Sequence, residues 1–259
     1  MTIHSIRLRA IVLCIVAPAF AQTGKNEPAS PAGPAPRLPN IPYLGANAGK
    51  PDLGNNKGMW DVPRIYDMGK AEAGVTKTQD VPFTPLGKKT YDERLDNLQK
   101  FDPEARCMPP GVPRMLYTPY PAQILQLADR VVFIYEGGAH IWRIVWVDGR
   151  PHPKDINPTW LGDSTGHWEG DTLVVDVTGF NDLSWLDNAG HPHGAKLHVA
   201  ERFTRPDVNT LHYEATIEDP DYYTRPWTVP LNIKWRAGQE LYEYICQENN
   251  KDVDHLVGK

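Results

Sequence analysis

The sequence predicts a mainly β domain, in which antiparallel strands form a closed barrel with an internal pocket or a two-sheet sandwich. Two observations predict this class. After residue 121, short runs of alternating apolar and polar residues recur, with glycine, proline and aspartate turn residues between them. Before residue 102, a single segment has apolar residues at helical spacing. The pattern indicates about eight strands joined mostly by short links.

The first residues, 1–21, have the features of a cleavable export signal. Arg7 and Arg9 make the start positive, and a short apolar run follows. The small residues around Ala21 fit a cleavage site. The apolar run is far shorter than the roughly 20 residues of a membrane-spanning helix. We therefore expect a periplasmic or secreted protein that is cleaved near Ala21 and has no membrane span; an uncleaved anchor is the alternative.

Between the signal and the strands, the chain predicts an arm followed by a helix. Residues 22–83 are rich in proline and glycine, which predicts an extended arm. This arm contains Trp60 and Ile65, so part of it is expected to pack on the domain. Residues 85–101 have one apolar stripe at helical spacing and predict a helix outside the barrel. The barrel domain, including this helix, is assigned to 84–259.

Turn residues divide the remaining chain into eight candidate strands. The predicted strands are Ala122–Leu127, Arg130–Glu136, His140–Val147, Thr172–Thr178, Leu197–Thr204, Leu211–Glu218, Thr228–Arg236 and Leu241–Gln247. The longest irregular stretches are 149–167 and 179–196. Long loops in a compact β domain are often functional, so both are candidates for the site.

Cysteine count, charge and motifs exclude several classes of function. Signal cleavage removes Cys14 and leaves Cys107 and Cys246, which we expect to pair in an oxidising compartment; two buried free thiols are the alternative. A formal net charge of −5 without a basic stripe does not favour a nucleic-acid partner. The chain has no Walker loop, GxGxxG, HExxH or CxxC motif. We therefore expect no cofactor, and a small molecule as ligand or substrate.

Two charged residues interrupt apolar strand faces. Alternation places Arg143 in an aliphatic row of one strand and Glu201 in an apolar row of another. If both rows face the interior, each buried charge needs a partner of opposite sign. We therefore expect an Arg143–Glu201 pair inside the domain, which either is structural or contributes to a ligand site.

The loop that begins at Trp185 collects polar side chains. Asp187, His191 and His193 lie close together in the sequence, and such a set can bind zinc. Pro192 turns the two imidazoles apart, so no metal ligand is assigned. Alternatively, His193 is a general acid or base at the pocket mouth, because histidine titrates near neutrality, or it is an ordinary loop residue.

Aromatic residues near the predicted strand ends are candidate ligand contacts. The ligand-binding candidates are Trp142, Trp168, Tyr135 and Asp187. Ser164 and His167 suggest a nucleophile and its base, but they lie in a predicted loop without an evident oxyanion donor. A structural role for this aromatic and glycine-rich stretch is the alternative.

Several strings together form a signature in this chain. They are DGRPHP (148–153), PTWLGDSTGHWEGDTLVVDVTGFND (158–182), WLDNAGHPHGAKLHVAERF (185–203), TIEDPDYYTRPW (216–227) and CQENNKDVDH (246–255). Through these strings, residues 106–259 resemble a family of uncharacterised secreted bacterial proteins with a lipocalin-like β-barrel. The resemblance implies this barrel and implies no catalytic role for any residue. The signature emphasises Arg143, Trp168, Glu169, Asp171, His193, Glu201 and Arg202.

Two functions fit these expectations. The first is an exported enzyme, a lyase, isomerase or hydrolase, that acts on a small apolar or glycosidic molecule by acid–base chemistry without a cofactor. In it Arg143 binds an anionic group or developing oxyanion. His193 and Glu201 move protons, and His140 assists. The second is a periplasmic barrel that binds a hydrophobic ligand. Convergence of the titratable groups at one place favours catalysis, and an aliphatic and aromatic lining favours binding.

Overall fold

The computed structural model describes residues 32–54, 57–70, 80–97, 100–248 and 250–251. The predicted export signal lies outside these ranges, as do residues 22–31 of the arm. Among the helices within them, none combines the length and the apolar character that crossing a lipid bilayer requires.

Nine strands form a closed barrel, in which sequence neighbours pair and the first strand pairs with the last. The strands are β1 (Gly58–Asp61), β2 (Ala122–Gln126), β3 (Arg130–Tyr135), β4 (Trp142–Trp146), β5 (Asp163–Glu169), β6 (Thr172–Thr178), β7 (His198–Asp207), β8 (Thr210–Glu218) and β9 (Trp227–Ala237). All pairs are antiparallel except β4 with β5, which pair in parallel through Trp146 and Thr165. The mainly β class is confirmed, but the barrel is mixed and has nine strands where about eight antiparallel ones were expected.

The outer helix α1 spans Pro85–Asp96, shorter than the predicted 85–101. Its start matches the sequence, since the Thr84 side chain accepts a hydrogen bond from the Gly87 amide and proline occupies the first turn. It ends early because Asn97 leaves helical geometry, and the Asn97 side-chain amide donates to the Glu93 carbonyl at 2.6 Å. A second, four-residue helix α2 spans Gly137–His140. His140, predicted to begin a strand, therefore belongs to a helical turn.

Two strands of the barrel were not predicted. The strand β1 lies within the stretch assigned to the arm and pairs with both β9 and β2. The strand β5 begins within the predicted loop 149–167 and ends at Glu169. It escaped prediction because small residues, Ser164 and Gly166, replace apolar ones on its inward face. An added Cβ at Gly166 would lie 2.9 Å from Val145 Cγ1, so the approach of β4 to β5 leaves no room for a side chain there.

One predicted strand is wrong. Residues 241–247 alternate like a strand but form no strand in the structure. They run outside the barrel and are held by side chains: the hydroxyls of Tyr244 and Tyr120 lie 2.9 Å apart, and Cys246 forms a disulfide with Cys107. The two Cα atoms are 5.6 Å apart, so the predicted disulfide is confirmed.

The described part of the arm covers one end of the barrel. The Asn47 amide donates to the Leu127 carbonyl at 2.5 Å, and the Trp168 indole donates to the Asn47 side chain at 3.0 Å. Arg205 donates to the Asp52 carbonyl at 2.5 Å. Trp60 and Ile65 are buried, as expected for an arm that packs on the domain.

The opposite end is covered by α1, by the segment around Met68 and by the loop 179–197. Tyr223, after β8, donates to the Pro192 carbonyl at 2.7 Å, and the Met68 amide donates to Asp187 at 2.8 Å. The loop from β4 to β5 runs between the two ends, because parallel neighbours require a crossover.

Candidate functional site

A buried polar network crosses the barrel interior from β4 to β7. The Arg143 guanidinium donates to Glu201 Oε2 and, from Nε, to Ser164 Oγ at 3.0 Å. Tyr213 donates to the second carboxylate oxygen of Glu201 at 2.8 Å. All four side chains are buried, so the expected interior Arg143–Glu201 pair is confirmed. Alternation on β4 and β7 produces it, because both charges occupy inward positions of their strands.

Arg143 keeps its charge despite burial. Burial alone would lower the pKa of Arg143, but the Glu201 carboxylate outweighs this effect and the pKa lies above its ordinary value. Burial raises the pKa of Tyr135 above its ordinary value, and nearby Arg143 opposes this rise. The hydroxyl of Tyr117 is buried without a hydrogen-bond partner among the described residues. The candidate ligand residue Tyr135 thus lies inside the barrel, beside the ion pair.

A cleft of 340 Å³ opens in the barrel wall next to this network. It forms because β4 and β5 share a single bridge, at Trp146 and Thr165, and separate toward the level of Arg143. Its apolar lining consists of Ile141, Trp142, Ile144, Trp160 and Leu161. Its polar lining is Arg143, Thr159, Asp163 and Ser164. Of the ligand-binding candidates, Trp142 lines the cleft, and it is 64% exposed.

A chain of imidazoles and carboxylates follows the outer barrel face from the cleft edge. His152 Nδ1 lies 2.6 Å from Asp163, and His152 Nε2 lies 2.8 Å from Asp176. The other oxygen of Asp176 lies 2.5 Å from His198 Nε2, and His198 Nδ1 lies 3.5 Å from Glu218. Burial alone would lower the pKa of His152, but the hydrogen bonds to Asp163 and Asp176 raise it above its ordinary value. The sequence does not reveal this chain, because its members come from the β4–β5 crossover and from four different strands.

Asp187 and His191 of the polar loop lie at the barrel end that α1 and the loop 179–197 cover. His191 Nδ1 contacts Asp187 at 2.6 Å, and Asp67 lies 4.0 Å from the same nitrogen. These three buried residues have ligand atoms within 4.8 Å of one another, a spacing suited to a metal ion. The Asp187 carboxylate, however, already accepts from the amides of Met68, Gly190 and His191. His191 and the backbone amides of Met68 and His191 hold the pKa of Asp187 below its ordinary value against the effect of burial. Asp187 therefore has a structural role, in which it joins this loop to the segment around Met68.

His193 lies in a separate buried position. Its Nδ1 faces the Gly194 carbonyl at 3.2 Å and therefore donates, which leaves Nε2 to accept from the Ser184 hydroxyl at 2.8 Å. Burial lowers the pKa of His193 to about 4. Within the described part of the chain, His193 bonds Ser184 and Gly194 and neither Arg143 nor Glu201, so the structure joins only two of the three groups proposed to work together. The side chain of His140 is not described.

Of the remaining candidates, Trp168 and His167 lie away from the cleft, whereas Ser164 lines it. Trp168 packs against the core at the end of the barrel that the arm covers, bonded to Asn47 and with Lys50 Nζ 5.7 Å from its ring. His167 is exposed and bonds Glu169 at 3.3 Å. Ser164 lies in a GxSxG string, Gly162 to Gly166, but on the barrel strand β5 and not on a strand-to-helix turn. The hydrolase interpretation therefore lacks its structural context.

A second cavity, of 280 Å³, lies beside the disulfide. Asp102, Glu104 and Thr118 line it, and behind it Arg114 bonds both carboxylates at 2.6 Å. Burial raises the pKa of Glu104 above its ordinary value, against the effect of Arg114. The two carboxylates that line this cavity are therefore already paired with Arg114.

Comparison of the chain with protein-family models, curated proteins and solved structures gives no significant match. Function is therefore argued from the cleft and the groups around it.

Proposed function

We propose that the protein binds a small, mainly apolar molecule in the cleft between β4 and β5. The observation that carries this proposal is the lining, which combines five aliphatic and indole side chains with a few polar groups. Trp142 is 64% exposed, so its indole is accessible to a ligand that enters the cleft.

The polar groups of the cleft determine which functional groups a ligand needs. Arg143 is neutralised by Glu201, so the cleft does not select strongly for an anion. Ser164 accepts from Arg143, which leaves its hydroxyl proton free to donate, and the Asp163 carboxylate accepts. A hydroxyl or amide group on an otherwise aromatic or aliphatic molecule satisfies both. The volume of 340 Å³ is close to the lower end of the usual range, about 300–1,000 Å³, so the ligand is small.

A second candidate function, acid–base catalysis in the same cleft, is favoured by one observation. Asp163 lines the cleft and is held from behind by His152 at 2.6 Å, so a carboxylate with a fixed orientation faces the ligand. The originally proposed base, Glu201, has both oxygens bonded within the network. Turnover by this protein would therefore depend on Asp163.

Export of the mature chain and membership of the secreted lipocalin-like family remain part of this proposal. The disulfide supports export, since such bonds persist mainly in oxidising compartments.

The test is a thermal-shift screen of small aromatic and aliphatic alcohols and amides on the mature protein, comparing Trp142→Ala with Trp146→Ala. Both tryptophans lie on the same face of β4, but Trp146 packs under Arg130 and Arg150 outside the cleft. We expect a ligand that raises the Tm of wild type and of Trp146→Ala, with a shift at least halved in Trp142→Ala. Equal shifts in both variants would place the ligand elsewhere and contradict the proposal.

Mass spectrometry of the recovered ligand separates binding from catalysis. A ligand recovered unchanged supports binding alone. Conversion that Asp163→Asn abolishes, while ligand affinity is retained, establishes the catalytic candidate instead.

A further inference from the structure

We propose that the cavity beside the disulfide binds the ammonium group of a small primary amine, with Glu104 as its counter-ion. The cavity volume of 280 Å³ lies just below the lower end, about 300 Å³, of the usual range for ligand pockets, so the amine is small. The cavity shares no lining residue with the cleft between β4 and β5, and the inference does not depend on the function proposed for that cleft.

The first observation is an uncompensated negative charge in the cavity wall. Arg114 lies behind this wall and bonds Asp102 and Glu104, each at 2.6 Å. One guanidinium compensates only one of the two carboxylates, so the group retains one negative charge. Arg114 and Asp102 are buried and the Glu104 side chain is 17% exposed, so water screens this charge poorly. A cation in the cavity completes the compensation.

Glu104 is the carboxylate that still has an acceptor to offer. Both oxygens of Asp102 already accept hydrogen bonds, from Arg114 and from the Glu104 amide. Glu104 bonds Arg114 through Oε2, which leaves Oε1 for a partner in the cavity. Burial raises the pKa of Glu104 and the Asp102 carboxylate adds to the rise, while Arg114 and the Thr118 side chain oppose it. The surroundings of Glu104 therefore favour an additional positive charge.

The second observation is independent and concerns two neutral groups of the lining. The Thr118 side chain is near Glu104, but its buried hydroxyl is outside hydrogen-bonding geometry with every described residue. The side-chain amide of Asn188 lines the same cavity and bonds no described residue. A buried polar group without a partner has a desolvation cost that a ligand removes. Together with Glu104 Oε1, these groups offer three oxygen acceptors, the number of N–H donors in a primary ammonium group.

The aromatic part of the lining also suits a cation. The rings of Tyr120 and Tyr244 have centroids 4.7 Å apart, and their hydroxyls lie 2.9 Å apart. A tyrosine ring attracts a cation over its face. Arg64 is the single cation among the lining residues, but it is exposed and pairs with no described carboxylate, so solvent screens its charge.

The disulfide explains how the chain brings the acidic and the aromatic walls together. Glu104 lies three residues before Cys107, and Tyr244 lies two residues before Cys246. The bond between the cysteines, with their Cα atoms 5.6 Å apart, therefore holds the two segments side by side. Both cysteines line the cavity themselves.

The test is isothermal titration calorimetry of the mature protein at pH 7 with n-propylammonium, and with n-propanol as its uncharged analogue. We expect one amine per chain and no measurable binding of the alcohol. Glu104→Gln leaves Arg114 paired with Asp102, so the variant should fold, and it should bind the amine at least about tenfold more weakly. Glu93→Gln is the matched control, because Glu93 forms an exposed ion pair with Lys89 on α1.

Two further measurements refine the site. Tyr244→Leu should weaken binding of n-propylammonium about two- to fivefold, since it removes one aromatic ring from the lining. Titration with glycine distinguishes an amino acid from a simple amine. Tighter binding of glycine that Arg64→Ala abolishes assigns the ligand carboxylate to Arg64, whereas weaker binding of glycine assigns a simple amine.

Four results would overturn the proposal. They are the absence of amine binding to wild type, equal binding of n-propanol, an unchanged affinity in Glu104→Gln, and an equal loss in Glu93→Gln. Circular dichroism and Tm confirm that each variant folds. Trp142→Ala should leave the amine affinity unchanged, so failure of the cleft proposal and failure of the amine proposal are read from different variants.

Discussion

At the residue scale, the most consequential group is the ion pair inside the barrel. Arg143 and Glu201 are both buried, and each compensates the charge of the other. A buried charge that loses its partner destabilises a protein far more than the pair stabilises it, because the desolvation cost of the remaining charge is no longer offset.

We therefore predict that Arg143→Met or Glu201→Gln lowers the free energy of unfolding by about 3–5 kcal/mol. The double variant Arg143→Met with Glu201→Leu should recover most of this loss, since no charge is left buried. Urea denaturation measures all three. Lys196→Ala, which breaks an exposed ion pair with Asp221, is the control and should cost less than about 1 kcal/mol. A similarly small cost for the single interior variants would show that water reaches the pair.

His193 gives the protein a pH-dependent stability. Its pKa is lowered to about 4 in the folded state, chiefly by burial, whereas the unfolded chain titrates near the ordinary value of 6.5. Between these two values the unfolded state binds more protons, so this contribution is complete above pH 6.5 and is lost as the pH falls toward 4.

The predicted effect is a loss of roughly 2–3 kcal/mol of folding free energy from His193 across that interval. Other groups titrate there too, His152 with the opposite sign because its pKa is raised. The measured quantity is therefore the difference between wild type and His193→Gln, from urea midpoints at pH 7 and pH 4.5. Equal slopes in the two proteins would contradict a buried neutral imidazole, and His212→Gln controls for surface histidines.

At the element scale, alternation determined which strands the sequence could predict. Strands such as β8 carry apolar residues at every inward position, and their bounds were close to those observed. Two strands escaped prediction because their inward residues are small or few, as Gly166 and Ser164 show in β5. The opposite error arose at 241–247, where alternation without barrel contacts imitates a strand.

For the same reason, one part of the site could be predicted from the sequence and two parts could not. The Arg143–Glu201 pair was predictable, because a single charged residue in a buried apolar row requires a partner of opposite charge. The cleft was not, because it results from the parallel pairing of β4 with β5, which no local pattern encodes. The His152–Asp176–His198 cluster depends on the register of β6 with β7 and on the β4–β5 crossover, so it also required the structure.

At the scale of the whole molecule, the disulfide encloses nearly the entire barrel. Cys107 and Cys246 are 139 residues apart, and strands β2 to β9 lie between them. In the unfolded chain this bond closes a very large loop, and the lost chain entropy corresponds to about 4–5 kcal/mol of stability in the polymer model. It also ties down the segment after β9, whose Tyr244 rests on Tyr120 with ring centroids 4.7 Å apart.

We predict that the double variant Cys107→Ser with Cys246→Ser lowers the Tm of the mature protein by roughly 10–15 °C, the shift that this entropy loss corresponds to in a domain of this size. Reductant should lower the Tm of wild type by the same amount and leave the double variant unchanged. Scanning calorimetry with and without reductant measures both effects. The barrel itself should still form, since every strand pairing is independent of the bond, so near-ultraviolet circular dichroism of the reduced protein at low temperature should remain native. A reduced protein that melts at the wild-type temperature would show that the barrel alone accounts for stability, and would remove the structural argument for export into an oxidising compartment.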